Sequence, residues 1–530
     1  MNICPYAKNR GKRREIFFLL LSFIIGLTLR FYTFDHKSLW TDEVYTFNDS
    51  RDDFSGQIKF YKENATCLQA PLFFIVTHLF YPFETPERDL RIIPLISGIL
   101  SIPIIYLLAK QFSASIAVPC TLLLTLMTYH ISLSQDGRSY SLLMFLGMIG
   151  LYFFMKHLQT LKKKYLPLVA SIFSILFYTS YSSIPFIIFS QILWLYRTDE
   201  NNRKIPLSSF LLLNGIISLL CIPWLIFVAI HYKGHLLMSQ LLETNAAPSL
   251  WTILYGIIHD WTPYAPLMIF STILILLFPI FSRFRKNALI LLAVLILPIA
   301  CFYLFYKLFH MTHFVTSRYF INLLPLFFIS VLLLLQGVED RFRRVTKSMR
   351  LKFLFLILFI ASNLLMLPLY YRAEKQDFRK LANYLKGQVQ EGDEINLSTM
   401  AHCNGILHYF GVYPAGRQHI MSCSTISKDI YKCSFSLIME NKIFTISYSN
   451  VNSIRFDSLE KNPDRKRIWF LVNKITAEKL KSYPPCIFKG YFDGSFLNFD
   501  TFPTDDSMYL YLWDPKSESK LPRPYRRDIF

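Results

Sequence analysis

Long apolar runs separated by short charged breaks fill roughly the first two thirds of the chain. A helix needs about 20 mostly apolar residues to cross a bilayer. On that measure about 11 runs are predicted to span, near residues 15–34, 91–110, 114–132, 140–156, 165–180, 184–197, 206–230, 263–282, 287–306, 319–338 and 351–371. Two shorter apolar pieces, Ala70–Tyr81 and Trp251–Asp260, read as helices lying along the interface. From Arg372 the pattern changes. Phe378, Leu381, Tyr384 and Leu385 mark one face of a helix over 376–386, and Glu391-Gly392-Asp393 marks a turn. Strands are predicted near 394–397, 468–472, 487–492 and 508–513, with helices near 404–410 and 477–481. The fold class is therefore a polytopic α-helical membrane protein with a C-terminal extracytoplasmic α/β domain. Residues 1–371 form the transmembrane part, with a first extracytoplasmic loop at 35–90, and residues 372–530 form a domain large enough for its own core.

Composition agrees: 53% of the 530 residues are hydrophobic and 16% aromatic, with a mean hydropathy of +0.33. A net charge of +20 would suggest nucleic acid in a soluble chain. Here the bases cluster between apolar runs, and no phosphate loop or nucleic-acid motif is present. With 11 spans as drawn, Lys110, Lys162 to Lys164, Arg203-Lys204, Arg283 to Lys286 and Arg341 to Arg350 all fall on the side of the basic N-terminus, which places it in the cytoplasm. The first loop carries about twice as many acids as bases, and it lies with the C-terminal domain on the outer face. The predicted arrangement is a multi-pass membrane protein with a cytoplasmic N-terminus and an extracytoplasmic C-terminal domain. The basic N-terminus is followed by a run too long for a signal peptide and without a small-x-small cleavage site. Cys403, Cys423, Cys433 and Cys486 lie in the C-terminal region without a CxxC pair, which argues against a thiolate zinc site. Outside the cytoplasm they allow up to two disulfides, with three pairings, or remain four free thiols.

Three groups on the predicted outer face carry chemistry. The first is Asp42-Glu43, just beyond the first span. Paired carboxylates there suit proton abstraction from a hydroxyl at the membrane surface, and Thr-Asp-Glu is equally ordinary helix-capping vocabulary. The second is Ser134-Gln135-Asp136-Gly137-Arg138-Ser139-Tyr140. The third holds His310, His313 and Arg318-Tyr319. Arg138 and Arg318 run against the positive-inside rule; a lipid phosphate explains them through bidentate guanidinium contacts, and headgroup anchoring or pairing with an acid explains them as well. His313 suits headgroup hydrogen bonding better than metal ligation. Tyr140, Tyr319 and Trp40 read as interfacial aromatics or as substrate contacts, Trp40 by stacking on a sugar.

At these residues the chain resembles the GT-C glycosyltransferases, nearest to the protein O-mannosyltransferase and aminoarabinose transferase types and to the related lipopolysaccharide-core transferases. Leu39-Trp40-Thr41-Asp42-Glu43 resembles the acidic motif after their first span. Gln69 to Phe74 is similar to a His-Pro-Pro-Leu-Tyr-Tyr stretch, Arg91 to Gly98 to Arg-Leu-Pro-Ser-Ala, and Ser134 to Tyr140 to Ser-Gln-Glu-Ala-Arg-x-Tyr. Arg318-Tyr319 with Pro325 resembles the start of a late span, and Asp377-Phe378-Arg379 the Asp-Trp-Arg helix after the last one. The resemblance implies an inverting transferase acting outside the cytoplasm. It moves a hexose or pentose from a polyprenyl-phosphate-linked donor to a hydroxyl of lipid A or core saccharide, another cell-envelope glycan, or protein. It implies Asp42 as general base, Glu43 orienting Asp42 or the acceptor, and Arg138 and Arg318 on the donor phosphate.

Two departures stand out. Gln69-Ala70 replaces the cationic His-Pro or Lys-Pro, leaving Lys62 or His78 to compensate, and Asp136-Gly137 replaces Glu-Ala. One carboxylate makes a poor metal site, so no cofactor is predicted; the resemblance allows a divalent metal without requiring one. A transporter or flippase of lipid-linked sugars is the alternative. It predicts inverted repeats and charged or broken helices, neither of which stands out in the sequence. A polysaccharide polymerase or ligase would rely on a large late loop instead. The C-terminal domain, lacking a nucleotide fingerprint or nucleophile elbow, is expected to serve acceptor binding or assembly.

Overall fold

The computed structural model describes residues 5–63, 69–196, 206–231, 249–281, 285–308, 315–342, 350–398, 401–412, 422–427, 430–439, 442–449, 466–481, 486–494 and 507–515. They fall into two compact units. The first takes residues up to Asp35 and Asp53–Tyr371; the second takes His36–Asp52 and the described residues from Arg372 onward. The boundary differs from a simple break at 371: the segment carrying the acidic pair is counted with the C-terminal residues.

The first unit is helical: α1 (Pro5–Phe31), then, after α2 (Thr41–Asp49) of the second unit, α3 (Phe54–Glu63), α4 (Leu72–His78), α5 (Pro86–Asp89), α6 (Ile92–Phe112), α7 (Ala114–Leu126), α8 (Thr128–Ser134), α9 (Tyr140–Thr160), α10 (Tyr165–Thr179), α11 (Ile184–Ser190), α12 (Leu207–His231), α13 (Leu250–Trp261), α14 (Ala265–Phe281), α15 (Arg285–Leu308), α16 (Leu324–Phe342) and α17 (Leu351–Arg372). Among the described residues, six helices are long and apolar enough to span: Pro86–Phe112, Tyr140–Thr160, Leu207–His231, Arg285–Phe305, Ser317–Arg341 and Leu351–Arg372. Two bent pairs, Ala114–Leu126 with Thr128–Ser134 at 62° and Leu250–Trp261 with Ala265–Ile280 at 112°, raise this to eight if each is one span. The difference from 11 has local causes. The run at 165–180 yields a helix of 15 residues, shorter than about 30 Å of hydrocarbon requires. The run at 184–197 breaks into α11 and a 3-10 turn, and the first run ends in a charge, Arg30, inside its helix. The broken helices, which the sequence reading did not find, are real features of the fold.

Arg30 is fully buried. Its guanidinium donates to the carbonyls of Leu124 (3.0 Å) and Thr125 (3.1 Å) and to His130 Nδ1 (2.7 Å). Those carbonyls are the last-turn acceptors of α7, which the break at Met127 leaves without helical partners. A cation at a helix C-terminus also meets the negative end of the dipole. On the other side of the break, Asn363 of α17 caps α8: its Oδ1 accepts the Thr128 N–H (2.8 Å) and its carbonyl the Thr128 hydroxyl (2.9 Å). Non-helical backbone in a membrane protein needs such internal partners. Gly98 of α6 permits the close approach of α8, because a Cβ there would lie 2.0 Å from Ser134 Oγ. The ends of the first and last spans are held together: Tyr32 packs edge-on against Tyr371 with centroids 4.8 Å apart, and the Tyr371 hydroxyl donates to the Leu29 carbonyl.

The second unit contains α2, α18 (Phe378–Gln388), β1 (Glu394–Leu397), α19 (Ala401–Tyr409), β2 (Ser422–Ser427), β3 (Ile430–Met439), β4 (Lys442–Ser449), β5 (Ile468–Val472), α20 (Lys474–Lys481), β6 (Cys486–Phe492) and β7 (Met508–Trp513). The seven strands form one mixed sheet in the order β2-β3-β4-β1-β5-β7-β6. β1 runs parallel to both neighbours, with Ile395 opposite Ile446 and Trp469, and the outer pairs are antiparallel. Phe378, Leu381 and Leu385, the apolar face expected of α18, pack in one core with Ile395, Leu397, Trp469 and Leu471. Each such side chain contributes about 1.5–3 kcal/mol by leaving water. β1, β5 and β7 fall where the apolar runs place them; β2, β3 and β4 were not anticipated. Cys403 is a free, buried cysteine, so the four cannot make two disulfides; Cys423 and Cys433 are register partners on β2 and β3.

Candidate active site

Asp42 and Glu43 occupy the first turn of α2, after an extended Trp40. Asp42 is partly exposed, whereas Glu43 is 0% exposed. The Glu43 carboxylate accepts the Trp40 N–H at 3.3 Å, the returning arm of a capping box. The capping and acidic readings of this pair therefore divide between its members: Glu43 is spent partly on the helix start, and Asp42 stands beside it on the accessible side. The neighbouring backbone is tied down within the same unit. The Leu39 N–H donates to the Tyr409 hydroxyl (2.7 Å), and Gln376 Oε1 accepts both the N–H and the hydroxyl of Thr41 (2.8 Å each). The Lys375 ammonium lies 5.1 Å from the centre of the Trp40 ring.

The second and third groups meet in the first unit. The Arg318 guanidinium stacks 5.3 Å from the centre of the Tyr140 ring and its Nε donates to Thr316 Oγ1 (3.2 Å). Arg318 rides on a 3-10 turn, Ser317–Leu323, that opens the late span. Arg138 and Arg318 are both partly exposed, and Asp136 is buried. Arg138 closes a tight turn, donating its N–H to the Asp136 carbonyl at 2.6 Å. Gln135 of the same motif is structural: its amide donates to the carbonyls of Arg30 (2.9 Å) and Tyr32 (2.7 Å) and accepts from the Tyr370 hydroxyl (2.6 Å). This anchors the Ser134–Tyr140 loop to the ends of α1 and α17. Tyr319 stacks on Phe302 at 5.9 Å. Lys62 is exposed at the end of α3. His78 ends α4 and stacks on Tyr81. The Gln69 carbonyl accepts from the Tyr181 hydroxyl (3.3 Å). His310 and His313 lie outside the described residues.

Sequence reasoning missed several polar groups here. Asp260, 1% exposed, accepts from the Ser317 hydroxyl (2.5 Å) and pairs with His259 Nδ1 (2.9 Å), while Tyr129 meets Ser317 at 2.6 Å. This chain holds the residue immediately before Arg318. Asp260, Arg30 and His130 are ionisable residues within apolar helices, a signal that could have found them. Gln376 and Tyr409 carry no such signal. Among the described residues no group of three or more His, Cys, Asp or Glu could hold a metal ion.

Residues 69–227 match the family model described as dolichyl-phosphate-mannose-protein mannosyltransferase. The match covers less than a third of the 530 residues. The matched stretch includes Gln69–Phe74, Arg91–Gly98 and Ser134–Tyr140, while the acidic pair and Arg318 lie outside it. The chain is also similar to crystal structures of ArnT from Cupriavidus metallidurans. One, bound to undecaprenyl phosphate, has 12% identity and a TM-score of 0.48; the other, in the apo state, has 11% identity and a TM-score of 0.49. Each alignment covers 96% of this chain and 99% of the other. No curated protein sequence matches the chain.

Proposed function

We propose that the protein is an inverting glycosyltransferase that moves a hexosyl or pentosyl group from a polyprenyl-phosphate donor to a hydroxyl on a cell-envelope glycan, lipid A or core saccharide, or protein. The match of residues 69–227 to a lipid-phosphate-sugar-dependent mannosyltransferase family carries this reading. The acceptor oxygen attacks the anomeric carbon, whose bond to the phosphate oxygen breaks with the electron pair leaving on the phosphate. Asp42, partly exposed on α2, takes the acceptor proton, while Glu43 holds the start of that helix. Arg138 and Arg318 bind the phosphate and stabilise its growing charge. Stacking on Tyr140 orients the Arg318 guanidinium. Trp40, Lys62, Asp136, Tyr140, Tyr319 and His313 are further substrate contacts in this scheme. The proposed setting is the inner membrane, with the N-terminus cytoplasmic and the α/β domain periplasmic. The broken helices favour transport of lipid-linked sugars as a second reading.

The test is donor hydrolysis and transfer by the purified full chain, with a panel of polyprenyl-phosphate sugars and extracted envelope acceptors. Asp42→Asn is expected to lower turnover about 10²–10⁴-fold with donor binding kept. Arg318→Ala is expected to weaken donor binding, and Arg318→Lys to restore it only in part. Unchanged turnover by Asp42→Asn sinks the base assignment. Donor binding by wild type without turnover under any acceptor favours the transport reading.

A further inference from the structure

The acidic segment is clasped residue by residue by the chain that follows the last span. Arg379 donates to the carbonyl of His36 (3.2 Å), and Lys37 Nζ to that of Ala373. The Ser38 N–H donates to Glu374 Oε2 (3.3 Å), and the Arg379 N–H to Ser38 Oγ (3.2 Å). Leu39 reaches Tyr409, Trp40 meets Lys375, and Thr41 meets Gln376. The pairing follows the chain, 37 with 373, 38 with 374, 40 with 375 and 41 with 376, up to the residue before Asp42. Gln376 is buried, and its oxygen takes the first free N–H of α2, so it acts as a cap supplied from 335 positions away.

The partners are themselves braced. Asp377 caps α18 through the Lys380 N–H (3.1 Å). The N–H groups of Glu374 and Asp377 both donate to Asp493 (2.9 Å each). Phe378 fills the space a Cβ on Gly405 would occupy, locking α18 to α19. On α19, His408 packs edge-on against Phe47 of α2 at 4.6 Å, and Tyr409 lies under Arg379 at 6.0 Å. All of these atoms belong to the second unit.

We propose that Gln376, with Tyr409, is a positioning residue for Asp42, so that the α/β unit is part of the machinery that places the base rather than an acceptor-binding accessory. The inference rests on the role of Asp42 proposed above. A clasp of this kind sets where the carboxylate stands relative to the reacting hydroxyl, and a displacement of about 1 Å at such a group costs about 10²-fold in rate.

The test compares wild type, Asp42→Asn, Gln376→Met, Gln376→Glu and Tyr409→Phe as purified full chains, each with the polyprenyl-phosphate sugar that wild type turns over best in the panel. Gln376→Met is expected to lower kcat about 10–100-fold with the donor KM within about twofold. Gln376→Glu keeps the accepting oxygen and is expected to return kcat to within about threefold of wild type. Tyr409→Phe loses the acceptor for Leu39 and is expected to lower kcat about tenfold; it carries the test if Gln376→Met does not fold. A parallel fall in kcat with both substitutions of Gln376, or an unchanged kcat in Gln376→Met and Tyr409→Phe, overturns the positioning role while Asp42→Asn remains inactive. Turnover by Asp42→Asn at the wild-type rate, or no turnover by wild type, removes the base assignment and this inference with it.

Discussion

At the α7–α8 break the first unit leaves peptide groups without helical partners, and at the start of α2 the second unit does the same. Both are satisfied by side chains distant in sequence. Arg30 and Asn363 serve the break, from 95 and 235 positions away, and Gln376 serves Thr41 across 335. Both ends lead directly into a candidate catalytic segment, Ser134–Tyr140 in one case and Asp42-Glu43 in the other. The chemistry of the partners differs. Inside the helical unit a fully buried cation meets carbonyls and an imidazole, where an abandoned group has no water to turn to. In the α/β unit a single neutral amide, itself buried, serves the N–H and hydroxyl of one residue, Thr41, so no charge is stranded if it is lost. The first arrangement should govern stability and the second geometry.

Arg30→Met is the strongest way to break this contrast. It strands the carbonyls of Leu124 and Thr125 and leaves His130 Nδ1 without its donor, at about 1–3 kcal/mol for each group. Loss of folded protein, or a large fall in melting temperature in detergent, is expected; unaltered stability would mean that water reaches the break.

Acid is the next probe, acting on the second unit. Burial lowers the His402 imidazole from 6.5 to about 4. Between those values the unfolded chain binds the extra proton, so the contribution of His402 is present above pH 6.5 and lost as pH falls towards 4, by up to about 3 kcal/mol. Unfolding of the α/β unit followed from pH 7 to 4 should show this slope, and His402→Leu should flatten it. A slope that persists in the variant assigns it to other groups. Smallest in stability should be Gln376→Met, about 1 kcal/mol by thermal unfolding. A much larger loss there would place Gln376 with Arg30, as a residue that holds the fold rather than the site.

Much of the architecture was legible. Apolar runs marked the membrane helices, and the face of α18 and the strands at Glu394, Ile468 and Met508 came from periodicity alone. The count of spans was less legible, because hydropathy does not register a break such as that at Met127, where both flanks stay apolar. β3 and β4 were missed although Phe435 and Leu437 flank Ser436, and Phe444, Ile446 and Tyr448 alternate with Thr445, Ser447 and Ser449, a signal that was available. The candidate site was read only as residue types: the acids, the arginines and the tyrosine that Arg318 covers. That Gln135 and Glu43 are spent on holding backbone was not, since a motif does not say which of its members are used up locally.

The amino-acid sequence by itself determined the class of protein, through hydrophobic lengths and the placement of basic residues, and it determined which side chains were available for chemistry. Only the tertiary structure decided which chain segments carry them. It gathered the acidic segment with residues from 336 positions later, and it joined Tyr140 to Arg318. The reason is physical: hydrophobic periodicity is a property of neighbours along the chain, whereas a helix end is satisfied by whatever donor or acceptor packing brings to it, however distant in sequence.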